Sequence, residues 1–264
     1  MGSALRHEFE RSRFYFPIRT TIDNVLRPSR ASRRKQRLEF LRQVVTPGML
    51  VFDIGANTGE YAELYQALGC RVVAVEPFPP CAEMIRRRLP HVTIVEAAVG
   101  PQPATATLHL GADHVTNTLS ERWAAELSGG HPTALPTITV PVTTLDALIA
   151  EHGPPDYVKI DVEGFERQVL AGLTDRPSLV SFEIHGSLID EADACMQALP
   201  GCDFSLTISE DFAWTAEHLD RRKMLSLIAE LATGDPQLYG DVYGRASQGR
   251  SVDPRIDRHL PQSN

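Results

Sequence analysis

The sequence predicts an α/β protein whose mostly parallel sheet is covered by helices on both faces. Short apolar runs alternate with amphipathic stretches of about ten residues, the pattern of strands and helices that build a parallel sheet. The 264 residues, 42% of them hydrophobic and 23% charged, are enough for one substantial core. No run approaches the ~18 consecutive apolar residues of a membrane span, and we expect no secretory signal in the first residues.

Each predicted strand is an apolar run, and each predicted helix is an amphipathic stretch bounded by turn residues. The first strand follows the turn residues Pro47 and Gly48, and Gly69 closes the first helix. Strands are predicted over 49–54, 71–76, 91–95, 155–161, 178–184 and 204–208. Helices are predicted over 58–68, 80–89, 163–171, 189–199 and 217–231.

Residues 100–144, called the insert below, interrupt this alternation. Strands are predicted over 105–110 and 137–142, and a helix over 119–127. The insert is too long for a plain connection, and long excursions in compact domains are often functional loops or lids. We therefore expect parts of it to reach over a ligand.

The two ends of the chain differ from its middle. We expect a helical N-terminal extension over 1–46, the α/β domain over 47–245 and a polar tail over 246–264. The extension contains a basic run over 27–37 with six cations and no acid. Such a run can bind nucleic acid, but the overall net charge of −8 favours a solvated helix face. A third interpretation is that one of these arginines faces an anionic ligand group.

The cysteine pattern indicates neither a zinc site nor a disulfide framework. Cys70, Cys81, Cys195 and Cys202 form no CxxC motif. We therefore expect reduced, partly buried thiols in a cytoplasmic protein. The sequence leaves open whether the chain forms a homo-oligomer.

A glycine turn between the first strand and the first helix predicts a ligand crevice at the carboxyl end of the sheet. Asp53, Gly55, Asn57 and Gly59 belong to this region, and glycine lets the backbone approach a ligand closely. Glu76 ends the next strand, 21 residues after Gly55. A carboxylate at that position suits the two hydroxyl groups of a ribose.

The residues of this turn favour a cationic nucleoside over a dinucleotide. Dinucleotide sites use the pattern G-x-G-x-x-G, whose second glycine admits the pyrophosphate. Asn57 stands at that position, and Asp53 just before the turn would repel a phosphate but attract a cation. A sulfonium nucleoside with an amino-acid tail fits better. An NAD(P)-dependent oxidoreductase with a variant loop is the alternative enzyme.

Four segments of the sequence resemble FkbM-type methyltransferases. They are VFDIGANTG at 51–59, AVEP at 74–77, VTTLD at 142–146 and KIDVEGFE at 159–166. The resemblance implies a class I, Rossmann-like methyltransferase fold with a mostly parallel seven-stranded sheet and helices on both faces. It also implies S-adenosyl-L-methionine as the cofactor.

The resemblance implies roles for individual residues as well. Gly55 and Gly59 would line the methionine part of the cofactor, and Glu76 would bind the ribose hydroxyls. Ala97 would lie near the adenine. For Asn57 two roles stay open, a contact with the ribose or a brace for the turn.

The fourth and fifth main strands end in residues that we expect to assist methyl transfer. Both strands are expected next to the first strand. An alcohol acceptor needs a base or a metal ion to deal with its proton. His185 is the preferred general base, and Glu183, two residues earlier, is expected on the same face. Asp161 would orient the cofactor or the acceptor, or cap the helix after it.

The same strand ends offer ligands for a metal ion. Asp161, Glu163, Glu183 and His185 provide carboxylate and imidazole groups, which Mg²⁺ and Mn²⁺ accept. A catalytic Mg²⁺ is therefore the second option beside a general base.

The sequence thus predicts a methyltransferase, and the resemblance suggests a hydroxyl of a sugar, glycoside or natural product as the acceptor. N-methylation stays open, because no residue fixes the acceptor atom. The expected partner is a small-molecule or glycan acceptor. A nucleic-acid-binding module that uses residues 27–37 is the non-enzymatic alternative, against which the net acidity counts.

Overall fold

The computed structural model describes residues 28–209, 211–235 and 237–246. Residues 1–27 of the expected N-terminal extension lie outside the described residues, and with them Arg27 of the basic run. The polar tail expected over 246–264 lies outside them as well, apart from Ala246.

The described residues form eleven β-strands in two sheets. The strands are β1 (Leu50–Ile54), β2 (Arg71–Val75), β3 (Thr93–Val95), β4 (Ala98–Val99), β5 (Ala104–His109), β6 (Thr137–Thr143), β7 (Tyr157–Ile160), β8 (Leu179–His185), β9 (Cys202–Ile208), β10 (Ala216–Leu219) and β11 (Tyr239–Ala246). The main sheet has the order β10-β9-β11-β8-β7-β1-β2-β3, and the small sheet has the order β4-β6-β5.

Eight α-helices connect these strands in the described part of the chain. They are α1 (Pro28–Val44), α2 (Glu60–Ala67), α3 (Pro79–Arg88), α4 (Glu121–Leu127), α5 (Leu145–His152), α6 (Glu166–Leu170), α7 (Ile189–Gln197) and α8 (Arg221–Gly234). Pro79 at the first turn of α3 and the Ser120 side chain, which accepts a hydrogen bond at the start of α4, are typical helix starts.

The helices bury both faces of the main sheet. One core cluster packs side chains such as Leu148, Val169 and Ile228 of α5, α6 and α8 against β1, β7 and β8. The other packs Phe40 of α1 and Tyr65 of α2 against the opposite face. Alternate residues of each strand therefore belong to different cores, as the period of two in a strand requires.

The parallel part of the main sheet determines where the predicted site residues lie. β1 is parallel to β2 and β7, and β8 is parallel to β7. Their carboxyl ends therefore share one edge of the sheet, called the carboxyl edge below. The turn after β1, the loop after β7 and the end of β8 are neighbours at this edge.

The strand order corrects two expectations. The main sheet has eight strands instead of seven, because residues 216–219 pair with β9 as an additional antiparallel strand. The helix expected over 217–231 consequently begins only at Arg221. In addition, β8 lies next to β7 and not next to β1, so of the fourth and fifth main strands only the fourth, β7, adjoins the first.

The helix expected over 163–171 begins later than predicted, because a left-handed turn precedes it. Glu163 and Gly164 have φ angles of 57° and 84°, which a right-handed helix excludes. The helix α6 therefore begins at Glu166. Asp161 does not cap it; instead the Glu166 side chain accepts hydrogen bonds from the backbone amides of Val162 and Gly164.

The described part of the basic run packs on α2. Arg34 pairs with Glu63 at 3.0 Å, and Arg37 lies 3.6 Å from Glu60 and over the ring of Tyr61. With its side chain only 17% exposed, Arg37 does not belong to a solvated face.

The four cysteines are buried and unpaired. Within residues 28–246, leaving out the two positions not described, no helix combines the length and apolarity of a membrane span.

Candidate functional site

The glycine turn after β1 is built against the loop that follows β7. Gly55 has a φ of 79°, and a Cβ atom there would lie 1.8 Å from the backbone oxygen of Asp161. Only glycine fits such a close backbone approach. Gly59, at φ 80°, stands at the start of α2, where a Cβ would lie 2.9 Å from Ile85 of α3. Both glycines are thus required by packing within the protein.

Glu76, just after β2, binds the backbone of the same turn. Its carboxylate accepts hydrogen bonds from the backbone amides of Asn57 (2.7 Å) and Phe78 (2.8 Å). Burial raises the pKa of Glu76 to about 7, although these two amides oppose the shift. The Asn57 side chain donates to the backbone oxygen of His114 at 3.1 Å. Asn57 therefore ties the turn to the insert, one of the two roles left open above.

A buried charge network lies beside this turn, on one face of β1 and β7. The Lys159 ammonium is 2.6 Å from the Asp161 carboxylate, and Lys159 is the register neighbour of Asp53. Neither oxygen of Asp53 makes a hydrogen bond of normal geometry to the described residues. Burial raises the pKa of Asp53 to about 6. Burial also opposes the charge of Lys159, yet Asp161 and Asp53 hold its pKa well above the usual value.

Three of the four predicted metal candidates come together at the carboxyl edge. The Nε2 atom of His185 lies 3.2 Å from a carboxylate oxygen of Glu183 and 4.0 Å from one of Glu163. One ligand atom from each lies within 4.8 Å of the others. Asp161 is not part of this group among the described residues, because its carboxylate turns to Lys159.

The cluster favours protons or another cation over two bare carboxylates. Burial, followed by the charge of Glu183, raises the pKa of Glu163 to about 9. Burial also raises the pKa of Glu183 well above its usual range, and Asp161 and Asp241 add to this shift. Because neither glutamate is stable as a bare anion, the site retains a proton at neutral pH or accepts a positive ligand.

Two contributors to the site were not predicted from the sequence. Trp123, on α4 of the insert, stacks on His185 with ring centroids 4.2 Å apart and donates a hydrogen bond to Glu163 at 3.0 Å. Asp241, on β11, is the register neighbour of Glu183. Burial raises its pKa to about 6. Both residues are remote in sequence from the motifs, so only the tertiary fold reveals them.

Ala97, the remaining predicted position, and a cavity lie outside the cluster around His185. Ala97 is buried in the connection between β3 and β4. A cavity of about 370 Å³ opens at the opposite edge of the main sheet, lined by strand starts such as Leu50, Arg71 and Thr93. It is therefore separate from the cluster around His185.

Comparison with protein families gives one match. The model of the methyltransferase FkbM domain matches residues 53–206, which is more than half of the chain and includes the glycine turn, Glu76 and the cluster around His185. No curated protein matches the chain significantly.

Solved structures resemble the chain only distantly. The precorrin-6y C5,15-methyltransferase of Geobacter metallireducens has 14% identity and a TM-score of 0.42, over 81% of this chain and 87% of that one. A ribosomal protein L11 methylase of Lactobacillus delbrueckii has 11% identity and a TM-score of 0.40, over 80% and 78%. The plantazolicin methyltransferase BpumL, solved with SAH, has 10% identity and a TM-score of 0.38, over 92% and 96%.

The assignment therefore rests on the sequence match together with the observed topology. The five parallel strands, the antiparallel β11 inserted between β8 and β9 and the helices on both faces form a Rossmann-like class I methyltransferase fold. The matched range contains the glycine turn, Glu76 and the end of β8, which lie at the carboxyl edge of this sheet. The chain belongs to the FkbM family of methyltransferases.

Proposed function

We propose that this protein transfers a methyl group from S-adenosyl-L-methionine to a hydroxyl group of a small sugar-like or natural-product acceptor. Membership of the FkbM family supports methyl transfer. The observation that carries the choice of acceptor atom is the contact of His185 with Glu183 at the carboxyl edge. An imidazole beside a carboxylate is a suitable base for a hydroxyl proton.

The donor-binding part of the proposal rests on the turn after β1. When bound, the donor supplies a methyl group on a positively charged sulfur. Asp53 is 1% exposed and its carboxylate oxygens lack normal hydrogen bonds to the described residues, so a positive charge nearby would stabilise it. Glu76 is held by two backbone amides and offers fixed oxygens to hydroxyl groups. The full set that we assign to donor binding is Asp53, Gly55, Asn57, Gly59, Glu76, Ala97 and Asp161.

The acceptor proton goes to His185 in this proposal. The acceptor oxygen attacks the methyl carbon in line with the carbon–sulfur bond, which breaks and leaves its electron pair on sulfur. Because Nε2 of His185 faces Glu183 and Glu163, Nδ1 is the nitrogen that takes the hydroxyl proton. Glu183, 3.2 Å from Nε2, stabilises the imidazolium that forms. General base assistance of this kind contributes about 10²–10⁴ in rate.

Asp161 has a different role from Glu183 in this scheme. Its side chain is 31% exposed, its backbone contacts the glycine turn, and Lys159 fixes its carboxylate. It is therefore suited to orient the donor or the acceptor between the turn and the cluster. Alignment of the two reactants contributes up to ~7–11 kcal/mol in favourable intramolecular cases.

A divalent cation is the second candidate for activating the hydroxyl. The ligand atoms of Glu163, Glu183 and His185 lie within 4.8 Å of one another, and replacing the retained protons by Mg²⁺ would relieve the repulsion between the carboxylates. The Trp123 hydrogen bond to Glu163 counts against this option, since it occupies one carboxylate oxygen.

A radiolabel assay tests the proposal. The protein is incubated with S-adenosyl-L-methionine carrying a tritiated methyl group and a panel of monosaccharides, glycosides, phenols and amines, with either EDTA or Mg²⁺. We expect label in a hydroxyl compound at equal rates in both buffers. Label only in amines would overturn the choice of acceptor atom. Loss of transfer in EDTA, restored by Mg²⁺, would replace the general base by the metal.

A further inference from the structure

A tryptophan of the insert covers the proposed general base. Trp123 lies 62 positions before His185 in the sequence, yet the two rings stack at 4.2 Å with an angle of 30° between their planes. The indole Nε1 atom donates a hydrogen bond to Glu163, whose carboxylate also lies 4.0 Å from His185. One side chain thus contacts both the ring and a carboxylate of the cluster.

The helix that carries Trp123 is anchored on three sides. Ser120 accepts a hydrogen bond from the Trp123 backbone amide, and Thr118 donates to the backbone oxygen of Glu163 at 2.7 Å. Arg122 reaches across to Asp190 at the start of α7, at 2.7 Å. The position of the indole is therefore determined by contacts with the loop after β7 and with α7.

The loop after β7 is shaped to admit the indole. Gly164 has a φ of 84°, and a Cβ atom there would lie 3.2 Å from the Cβ of Trp123. A methyl group at position 164 would require Trp123 or the loop to shift by a few tenths of an ångström. The KIDVEG segment thus provides Glu163 as the hydrogen-bond acceptor and Gly164 as the space beside it.

We propose that Trp123 is a positioning residue that holds the imidazole of His185, together with Glu163, in the orientation needed to accept the acceptor proton. This proposal rests on the proposed function, because it assigns a partner to the base named there. Stacking restricts rotation of the ring, and the negative face of an indole stabilises an imidazolium. The hydrogen bond to Glu163 keeps that carboxylate beside the ring.

Besides the indole of Trp123, several charged groups face His185. They are Glu183 on the same strand, Glu163 in the loop after β7 and Glu166 on α6. All three are acidic. The contribution of the indole is measured by changing Trp123 alone while these groups stay.

Fluorescence provides a test that needs no acceptor. The chain has two tryptophans, and Trp214→Phe leaves Trp123 as the only indole. In this background we expect emission to fall as the pH is lowered and the stacked imidazole gains its proton. Adding His185→Gln should abolish the change. The same pH dependence with and without His185 would overturn the proposal.

A kinetic test separates positioning from simple packing. With the best acceptor of the panel, Trp123→Leu should lower kcat at least tenfold, displace the acid limb of its pH profile to lower pH and change the KM for the donor less than twofold. Trp123→Phe, which keeps an aromatic ring, should recover part of kcat. Trp214→Phe serves as the control and should stay within twofold.

The two tests fail in different ways. If no compound accepts a methyl group, the proposed function fails and the fluorescence result alone decides whether Trp123 senses the charge of His185. A kcat profile of Trp123→Leu equal to that of the wild type, with methyl transfer intact, would overturn the positioning role alone.

Discussion

The Nε2 atom of His185 lies 3.2 Å from a carboxylate oxygen of Glu183, two residues earlier on β8. Both side chains point to the same face of the sheet, and both atoms are buried, although their approach does not have the geometry of a hydrogen bond. The contact places an imidazole and a carboxylate at the carboxyl edge, beside the turn assigned to the donor. The mechanism proposed above depends on this pair.

Replacing the base should slow catalysis without weakening donor binding. For His185→Ala we expect at least a tenfold loss of kcat, because the hydroxyl proton loses its acceptor, and an unchanged affinity for S-adenosylhomocysteine. His131→Ala, at an exposed position of the insert, is the matched control. A wild-type kcat in His185→Ala would remove this residue from the mechanism.

The buried glutamates should make folding stability fall as the pH rises. The pKa of Glu163 is about 9 in the folded protein against 4.5 when unperturbed, so the folded state binds the proton more tightly. The stability due to this proton is complete below about pH 4.5 and is lost as the pH rises towards 9. A single group of this kind contributes a slope of at most about 1.4 kcal/mol per pH unit.

Denaturant titrations between pH 5 and 9 check this effect. Glu163→Gln should flatten the decline and be more stable than the wild type at pH 8.5, whereas Glu151→Gln, at an exposed helix position, should keep the wild-type slope. Equal slopes for all three proteins would show that Glu163 ionises normally.

The close approach of Gly55 to Asp161 should make any side chain at position 55 costly. Gly55→Ala combines the strain of a positive φ, about 1–2 kcal/mol, with a Cβ only 1.8 Å from the Asp161 oxygen. Gly48→Ala is the matched control, since its φ is 89° but no atom lies within 4 Å of the added Cβ. We expect Gly55→Ala to lower the free energy of unfolding by at least about 2 kcal/mol more than Gly48→Ala. Similar losses in both would contradict the packing of the turn.

The Lys159–Asp161 pair should behave as a buried ion pair. Lys159→Met leaves Asp161 and Asp53 without their nearest cation, which should cost about 3 kcal/mol of unfolding free energy. The double variant Lys159→Met/Asp161→Asn should recover part of this loss in the same denaturant titration. A double variant less stable than Lys159→Met alone would show that the pair is not what stabilises this region.

Local sequence patterns predicted the positions of the strands that carry the site. They predicted the side-chain contacts between these strands less well. β1, β2, β7 and β8 are mostly buried apolar runs, and the period of two placed Glu183 and His185 on one face. The helix α5 was not expected, and Ala216–Leu219 was misassigned because a short, half-exposed edge strand lacks a distinctive apolar pattern. The contacts of Trp123 with His185 and of Asp241 with Glu183 join distant parts of the chain, which no local periodicity reports.

The direct test of the central claim is calorimetric titration of the protein with S-adenosylhomocysteine and, separately, with NAD. If the turn after β1 and Glu76 receive a sulfur-bearing nucleoside, S-adenosylhomocysteine will bind saturably at one site per chain and NAD will give no saturable heat. Saturable binding of NAD with none of S-adenosylhomocysteine would contradict the account.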